Sequence, residues 1–236
     1  AEPPSLEARI LPLVQAHKGK VAVAVKHLTT GDSYFLEADQ PMPTASLIKF
    51  PIMVETYFQA SEEKFKMSDV LTLTKDEMVQ GSGILTTHFS PGATFSIRDT
   101  VRLMIAFSDN TATNMLIERF SAEAVNTYLD KLGIRSTRLM RKVRGDGNNL
   151  KSPSGWSEAG RLPENAKFGL GKSTPKDMVT ILERLEKGEI VSPEASKEML
   201  AIMKRCQDDT GVRRKLNEYS ISNKTGALDA LRSDVA

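Results

Sequence analysis

The chain has 236 residues, of which 40% are hydrophobic and 26% are charged. A chain of this length can bury about 70% of its unfolded surface, which is enough for a sizeable core. The formal net charge is only +2. Charges of both signs are interspersed, so nothing suggests a nucleic-acid partner. No apolar run approaches ~18 residues, and the sequence therefore predicts no membrane span.

The first predicted elements are a helix near residues 5–17 and a β-hairpin over residues 20–37. A strand is predicted again near Tyr219. Between them, five polar residues are expected to precede helices: Ser46, Ser96, Ser121, Thr174 and Ser192. Strands at both ends of a helical block predict an α+β fold, in which an antiparallel sheet with flanking helices adjoins a mainly helical lobe.

We expect one domain over residues 1–236. Its sheet lobe would comprise residues 1–45 and 212–236, and its helical lobe residues 46–211. An active site is expected at the junction of the two lobes.

Ser46 and Lys49 are the first candidate catalytic pair, because they open a predicted buried helix. A serine nucleophile needs a base within hydrogen-bond reach, and helix positions three apart share a face. A free lysine has a pKa near ~10.4, so Lys49 requires burial or a second cation to act as that base. The same Ser-Xaa-Xaa-Lys spacing at Ser61 indicates a solvated surface, and at Ser173 it indicates helix capping.

The Ser-Asp-Asn sequence at 108–110 is the second candidate motif, and it occurs once. It follows an amphipathic run that Ser96 and Asp99 open as a capping box. Taken alone, these three polar residues are more simply explained as a turn at the end of a helix. Their importance comes from the other motifs.

The Lys-Thr-Gly sequence at 224–226 is the third motif and is also unique. A glycine within a strand often marks the close approach of a ligand or another backbone. The alternative is an ordinary edge strand that carries a lysine. The order of the three motifs favours a single acyl-transfer site, in which Lys224 could be the cation that lowers the pKa of Lys49.

The three motifs closely resemble those of the class A serine β-lactamases and their penicillin-recognising relatives. Segments 81–85, 109–114 and 174–178 extend the resemblance over nearly the whole chain. It implies a β-lactamase/transpeptidase-like fold and hydrolysis of a β-lactam amide through an acyl-enzyme, without metal or cofactor. It also implies a role in antibiotic resistance or β-lactam catabolism and a periplasmic or secreted location.

Carried over residue by residue, the resemblance implies that Ser46 is the acylated nucleophile, Lys49 its base and Ser108 the proton relay to the leaving nitrogen. The amides of Ser46 and Ala227 would form the oxyanion hole. The implied substrate-binding residues are Asn110, Lys224, Thr225, Gly226, Ala227 and Arg232.

The residue that removes the acyl group is harder to assign. The family uses a glutamate with a neighbouring asparagine in the loop between the second and third motifs, but the expected position falls near Arg144. We predict Glu164, because Asn165 adjoins it; Glu158 is the other candidate. Without such a glutamate, the same site fits a penicillin-binding D,D-peptidase or a β-lactam sensor that releases the acyl group slowly.

The resemblance also implies two late strands and a closing helix after the third motif, whereas this sequence ends at Ala236. We therefore expect the chain to be incomplete, or its sheet to be completed by a second chain or fragment. The single cysteine, Cys206, excludes an intrachain disulfide and is expected on a buried helix face.

Two other classes of function are poorly supported. His17, His27 and His88 are widely separated, which disfavours metal catalysis. The Gly-Lys-Ser sequence at 171–173 mimics the end of a phosphate loop, but Ala166 stands where that pattern requires glycine. Nucleotide binding is therefore a remote alternative.

Overall fold

A computed structural model describes residues 4–143, 155–216 and 218–236, and its mixture of helices and strands confirms the α+β prediction. The helices are α1 (Leu6–Ala16), α2 (Lys49–Ser61), α3 (Leu85–His88), α4 (Ile97–Ala106), α5 (Asn110–Phe120), α6 (Ala122–Lys131), α7 (Glu158–Arg161), α8 (Pro175–Glu186) and α9 (Pro193–Met203). The strands are β1 (Val23–Lys26), β2 (Ser33–Leu36), β3 (Met42–Pro43), β4 (Val70–Thr72), β5 (Thr94–Ser96), β6 (Arg138–Leu139), β7 (Gly171–Ser173), β8 (Lys224–Leu228) and β9 (Leu231–Val235).

Most of the predicted helix starts are confirmed, and side-chain caps explain them. The side chains of Ser96, Ser121, Thr174 and Ser192 each accept a hydrogen bond from the backbone N–H three residues later. Ser46 differs, because it lies in a 3₁₀ turn, Ala45–Ile48, that leads directly into α2.

Helix α2 forms the centre of the core. Its residues are buried on nearly every side, and it packs against α4, α5, α6 and α9. Each fully buried aliphatic side chain, such as Ile52 or Val54, contributes about 1.5–3 kcal/mol to folding. Pro51 is accommodated in the first turn, where a backbone N–H has no helical partner. The candidate nucleophile therefore stands at the beginning of a rigid, buried helix.

The sheet is divided into short pieces within the described residues. Strands β1 and β2 form an antiparallel hairpin, β8 and β9 form another, and β4 pairs with β5. Strand β7 lies between β3 and β6. Helix α8 packs on β1, and β8 packs on the 3₁₀ turn that contains Ser46. The division into a 1–45 and 212–236 lobe and a 46–211 lobe stays a prediction.

The strand predicted to begin near Tyr219 begins instead at Lys224. The residues before it alternate in polarity but are not paired in a sheet. Their polar side chains bond to other parts of the chain: the Ser222 hydroxyl donates to Leu200 O, and the Asn223 amide donates to Asp234. Tyr219 is 63% exposed. The strand prediction for residues 219–222 is therefore wrong.

Two further expectations can be compared with the structure. Cys206 is buried, as predicted, but α9 ends at Met203 and the cysteine lies beyond it rather than on a helix face. The Gly-Lys-Ser sequence at 171–173 is strand β7, so it does not form the loop before a helix that phosphate binding requires. Across the described ranges, every helix is too short or too polar to cross a bilayer.

Candidate functional site

Three separate parts of the fold bring the predicted motifs together. The turn before α2 carries Ser46, the link between α4 and α5 carries Ser108, and the first residue of β8 is Lys224. The side chains of Lys49 and Lys224 are both fully buried and meet at the Ser108 hydroxyl. Residues distant in sequence are thus assembled into one cluster.

Lys49 contacts three polar atoms of the second motif. Its Nζ lies 2.6 Å from Ser108 O, 2.7 Å from Asn110 Oδ1 and 3.3 Å from Ser108 Oγ. A neutral amine has two N–H bonds and one lone pair. The two shorter contacts use both hydrogens, which leaves the lone pair free to accept a proton from a hydroxyl.

The electrostatic surroundings favour this neutral form. Burial lowers the pKa of Lys49 well below its ordinary value, and the positive charge of Lys224 lowers it further. Asp109 acts in the opposite direction. The two conditions set by the sequence for Lys49 to act as a base, burial and a neighbouring cation, are both present.

Ser46 follows a strained residue. Ala45 has φ 45°, a conformation rarely adopted by residues other than glycine, and it fixes the direction in which the chain enters the turn. Among the hydrogen bonds of the described residues, none joins Lys49 Nζ to Ser46 Oγ. The amine instead contacts Ser108 and Asn110, where the i, i+3 spacing predicted that it would lie beside Ser46. Catalytic hydrogen bonds often tighten only when substrate is bound.

The second motif is held by Asp109. Its carboxylate accepts hydrogen bonds from the backbone N–H groups of Ile84, Leu85 and Ala112. Ser108, the preceding residue, is held at φ 52°, in the left-handed region. Asp109 therefore fixes the backbone that aims the Ser108 hydroxyl at the two lysines.

Glycines at 81 and 83 allow this loop to pack closely. Both have positive φ, of 110° and 115°. A Cβ at Gly81 would lie 2.8 Å from Asn110 Nδ2, and one at Gly83 would overlap the Asp109 carboxyl group. These contacts give a physical reason for the glycines of the 81–85 segment.

Gly226 allows β8 to approach the Ser46 turn. A Cβ there would lie 2.9 Å from Leu47 N and closer still to Thr44 O. The β8–β9 hairpin closes at Leu228 and Leu231. Because paired residues alternate between bonded and non-bonded positions, we expect the Ala227 N–H to point away from β9, towards this turn. Both predicted oxyanion donors then belong to elements in direct contact.

Lys224 and Thr225 form the part of the cluster predicted to bind a carboxylate. Lys224 Nζ donates to Ser108 Oγ at 3.1 Å and to Thr225 O at 2.7 Å. Burial lowers the pKa of Lys224, and Cys206, Asp208 and Asp234 oppose that effect. The Thr225 hydroxyl donates to Asp208 Oδ2 at 2.7 Å.

Arg232 is not brought into this cluster. It is exposed, and its Nη1 donates to the carbonyl oxygens of Leu228 and Leu231 at the hairpin turn. Its predicted contact with a substrate carboxylate stays a prediction without support from these hydrogen bonds.

The glutamate predicted to activate water is not brought in either. Glu164 is exposed on the 3₁₀ segment Pro163–Phe168, and it is not among the charges that shift the pKa of Lys49. Its neighbour Asn165 is buried, donates to Ala159 O and accepts from Lys172. Asn165 therefore holds the loop together.

Glu158, the alternative, is also exposed. Glu158 is the first residue of α7, and its backbone N–H donates to the carboxylate of Glu123 on α6. The position near Arg144 lies outside the described residues. Within the described ranges, no group of three or more His, Cys, Asp or Glu side chains is arranged to hold a metal ion.

A sequence model of the β-lactamase enzyme family matches residues 5–236. The chain belongs to this family. Among curated proteins, a β-lactamase from Streptomyces cellulosae is 26% identical over 144 residues, which is 60% of this chain and 46% of that protein. The match thus spans less than half of the length of that relative.

Solved structures of β-lactamases and of PBP-A share the fold of this β-lactamase family member. The β-lactamase of Sphaerobacter thermophilus is 28% identical, with a TM-score of 0.80 over 96% of this chain and 80% of that one. PBP-A is 27% identical, with a TM-score of 0.80 over 98% and 82% of the two chains. An ancestral class A β-lactamase, at 22% identity and a TM-score of 0.79, shares the fold.

Sequence reasoning missed two polar residues of this family member's site. Asp109 was part of a recognised motif, but its bonds to distant backbone amides could not be read from that motif. Asp208 lies 17 residues before Thr225, in a loop with no periodic pattern, and only the folded chain brings the two together. In the sequence, Asp208 is marked only by its acidic neighbour Asp209, and that pair does not indicate which residue Asp208 would contact.

Proposed function

We propose that this protein is a serine β-lactamase that opens the β-lactam amide through an acyl-enzyme on Ser46. The observation that supports this most strongly is the Ser108 hydroxyl, which two buried lysines contact at 3.3 and 3.1 Å. Such an arrangement can carry a proton between a nucleophile and a leaving group without a metal or an organic cofactor.

In the acylation step, the lone pair of neutral Lys49 takes the proton of Ser46 as its Oγ attacks the lactam carbonyl carbon. The carbonyl oxygen becomes an oxyanion, and the N–H groups of Ser46 and Ala227 donate to it. One preorganised donor of this kind contributes about 2.7–4 kcal/mol to barrier lowering.

In the second half of the step, the C–N bond breaks and the nitrogen needs a proton. Ser108 gives its hydroxyl proton to that nitrogen and recovers one from the Lys49 ammonium, so Lys49 returns to its neutral form. Lys224, which also donates to Ser108 Oγ, stabilises the negative charge that develops on this oxygen. An ester on Ser46 remains.

Release requires water to attack this ester and restore the Ser46 hydroxyl. A general base would remove the water proton, and we propose Glu164 for this role because Asn165 adjoins it in the loop preceding β7. The exposed position of Glu164 in the free protein requires it to turn towards Ser46 after acylation. Asn110 would bind the acylamino side chain, while Lys224, Thr225 and Arg232 would hold the substrate carboxylate.

A penicillin-binding D,D-peptidase or sensor that releases the acyl group slowly is the second candidate. The exposure of Glu164 and Glu158 favours it, because neither carboxylate is among the hydrogen-bond partners of Lys49 or Lys224 in the described residues. PBP-A, at 27% identity, also favours it: a point mutant of that protein was solved as an acyl-enzyme complex with penicillin G.

Intact protein mass, followed over time after mixing with benzylpenicillin, separates the two candidates. A transient adduct with accumulating penicilloate is expected of a β-lactamase, and a persistent adduct identifies the slowly releasing protein. Ser46→Ala is the control and should form no adduct. An adduct of equal size and rate in Ser46→Ala would refute the proposed nucleophile.

The predicted base is tested by Glu164→Gln beside the matched variant Glu158→Gln. If Glu164 activates water, only its replacement prolongs the adduct, by about 10²-fold or more, while acylation keeps its rate. Unchanged release in Glu164→Gln would exclude this residue, and prolonged release in Glu158→Gln alone would transfer the role.

Three further parts of the proposal rest on the family. We propose a periplasmic or secreted location, because members of the β-lactamase family are commonly exported. We propose a role in antibiotic resistance or β-lactam catabolism on the basis of the proposed β-lactam substrate. We also propose that a second chain or fragment completes the sheet. Chain count and intact mass of the purified protein test that last point.

A further inference from the structure

The Thr225 hydroxyl is already engaged by an internal carboxylate. Thr225 Oγ1 donates to Asp208 Oδ2 at 2.7 Å, and Thr225 is only 6% exposed. Asp208 Oδ1 accepts from Thr210 N at 2.9 Å and from Thr210 Oγ1 at 2.6 Å. Both carboxylate oxygens of Asp208 are therefore fixed in place, and one of them accepts the only hydrogen that the Thr225 hydroxyl can donate.

Asp208 is also held in its charged form. Burial acts to raise the pKa of Asp208, but the hydrogen bonds from Thr210 and Thr225, together with the charge of Lys224, lower it overall. Hydrogen bonds from a hydroxyl to an ionised carboxylate are roughly twice as strong as bonds between neutral groups. The free protein thus holds a negative charge next to its predicted anion subsite.

Lys224, the cation of that subsite, is surrounded by groups of both signs. Asp208 and Asp234 are its neighbouring carboxylates, and Lys49 is the neighbouring amine. Its Nζ already donates to Ser108 Oγ and Thr225 O. A substrate carboxylate therefore enters a subsite in which Thr225 is engaged and a second carboxylate is fixed nearby.

We propose that Asp208 is a specificity-determining residue that competes with the substrate carboxylate for the Thr225 hydroxyl. A carboxylate-bearing β-lactam must draw this hydroxyl away from Asp208 and approach a like charge. A β-lactam whose carboxylate is esterified carries no charge there, so it is not repelled by Asp208 and depends less on the Thr225 hydroxyl. The protein consequently discriminates less strongly in favour of anionic β-lactams than a subsite of Lys224 and Thr225 alone would. This inference rests on the proposed acylation of Ser46.

Asp208→Asn is the informative variant, because it removes the charge while keeping the size of the side chain and one oxygen acceptor. Asp209→Asn is the matched control: it makes the same change of charge at the next residue, which is exposed. The measurement is the second-order rate of adduct formation, by intact mass, with benzylpenicillin and with its methyl ester.

The quantity that decides is the ratio of the rate with the acid to the rate with the ester. Asp208→Asn should raise that ratio by about tenfold, and Asp209→Asn should change it by less than about twofold. In a Thr225→Val background the effect of Asp208→Asn should largely disappear, since no hydroxyl remains to compete for.

An unchanged or lowered ratio in Asp208→Asn would overturn the inference while leaving the proposed function intact. A lowered ratio would mean that Asp208 assists anion binding by maintaining the charge of Lys224. An equal effect with Thr225→Val as background would likewise reject competition for the hydroxyl. Absence of any Ser46 adduct with both compounds would refute the proposed function, and the inference with it.

Discussion

Replacing Gly226 with alanine is expected to displace the oxyanion donor of Ala227. The α-carbon of Gly226 faces the backbone of the Ser46 turn, and no space exists there for a methyl group. An added Cβ would lie 2.7 Å from Ser233 Oγ and 2.9 Å from Leu47 N, and closer still to Thr44 O. The hydroxyl of Ser233 can rotate away, whereas the two backbone atoms cannot.

The size of the displacement follows from these distances. A carbon atom beside a backbone oxygen needs about 3.3 Å or more, so β8 must withdraw from the turn by about 1 Å. A misplacement of about 1 Å typically costs a factor of about 10² in rate. Complete loss of one oxyanion donor costs about 10²–10³, which corresponds to about 2.7–4 kcal/mol. We therefore expect Gly226→Ala to slow acylation of Ser46 by about 10²-fold.

The assay is the rate of Ser46 adduct formation with benzylpenicillin, measured beside thermal unfolding of each protein. Gly31→Ala is the control, because an added Cβ there would meet no atom within 4 Å, while its φ of 82° still disfavours alanine. The control should lose stability and keep its acylation rate. Acylation in Gly226→Ala within about threefold of the unmodified protein would refute the reasoning on the oxyanion donor.

Two other predictions concern titratable groups. Burial raises the pKa of Glu55 to about 7, and its Oε2 has no hydrogen-bond partner among the described residues. The folded state therefore binds a proton on Glu55 more tightly than the unfolded state does. The stability that this protonated side chain contributes is present below about pH 4.5 and is lost as the pH rises through about 7. Glu55→Gln should be more stable than the unmodified protein by up to about 3 kcal/mol near pH 8 and about equal near pH 4, as measured by urea unfolding; a pH-independent difference would contradict this. Removing the Lys224 cation by Lys224→Met should raise the pKa of Lys49 and move the ascending limb of the acylation rate to higher pH, whereas Lys224→Arg should leave that limb nearer its original position. A limb that stays in place in Lys224→Met would exclude Lys224 as a modulator of Lys49.

The helices could be predicted because their signals are local. Caps at Ser96, Ser121, Thr174 and Ser192 lie within three residues of the amides that they bind, so sequence spacing reveals them. The stretch at 219–222 has a strand-like composition, yet its contacts come from distant residues. Tertiary hydrogen bonds, such as the one from the Ser222 hydroxyl to Leu200 O, outweigh the β-strand propensity of this stretch.

The candidate site was predictable only as far as its motifs. Ser46, Lys49, Ser108 and Lys224 were named from the sequence, and the fold brings the last three into contact. The orientation of Lys49 towards Asn110 rather than Ser46 depends on how α5 packs beside α2. The position of Glu164 depends on the path of a loop whose polar, glycine- and proline-rich composition leaves many conformations open.

Strands β6 and β7 are direct neighbours, paired through Arg138 with Lys172 and Leu139 with Gly171. The chain therefore departs from this small sheet after residue 139 and rejoins it at residue 171, at adjacent points. Ser46, Lys49 and Ser108 all lie outside the excursion between these two points. In the proposed function, the residue that releases the acyl group lies in this excursion and the residues that form the acyl-enzyme lie outside it. A single loop would then separate a persistent binder from a rapid hydrolase.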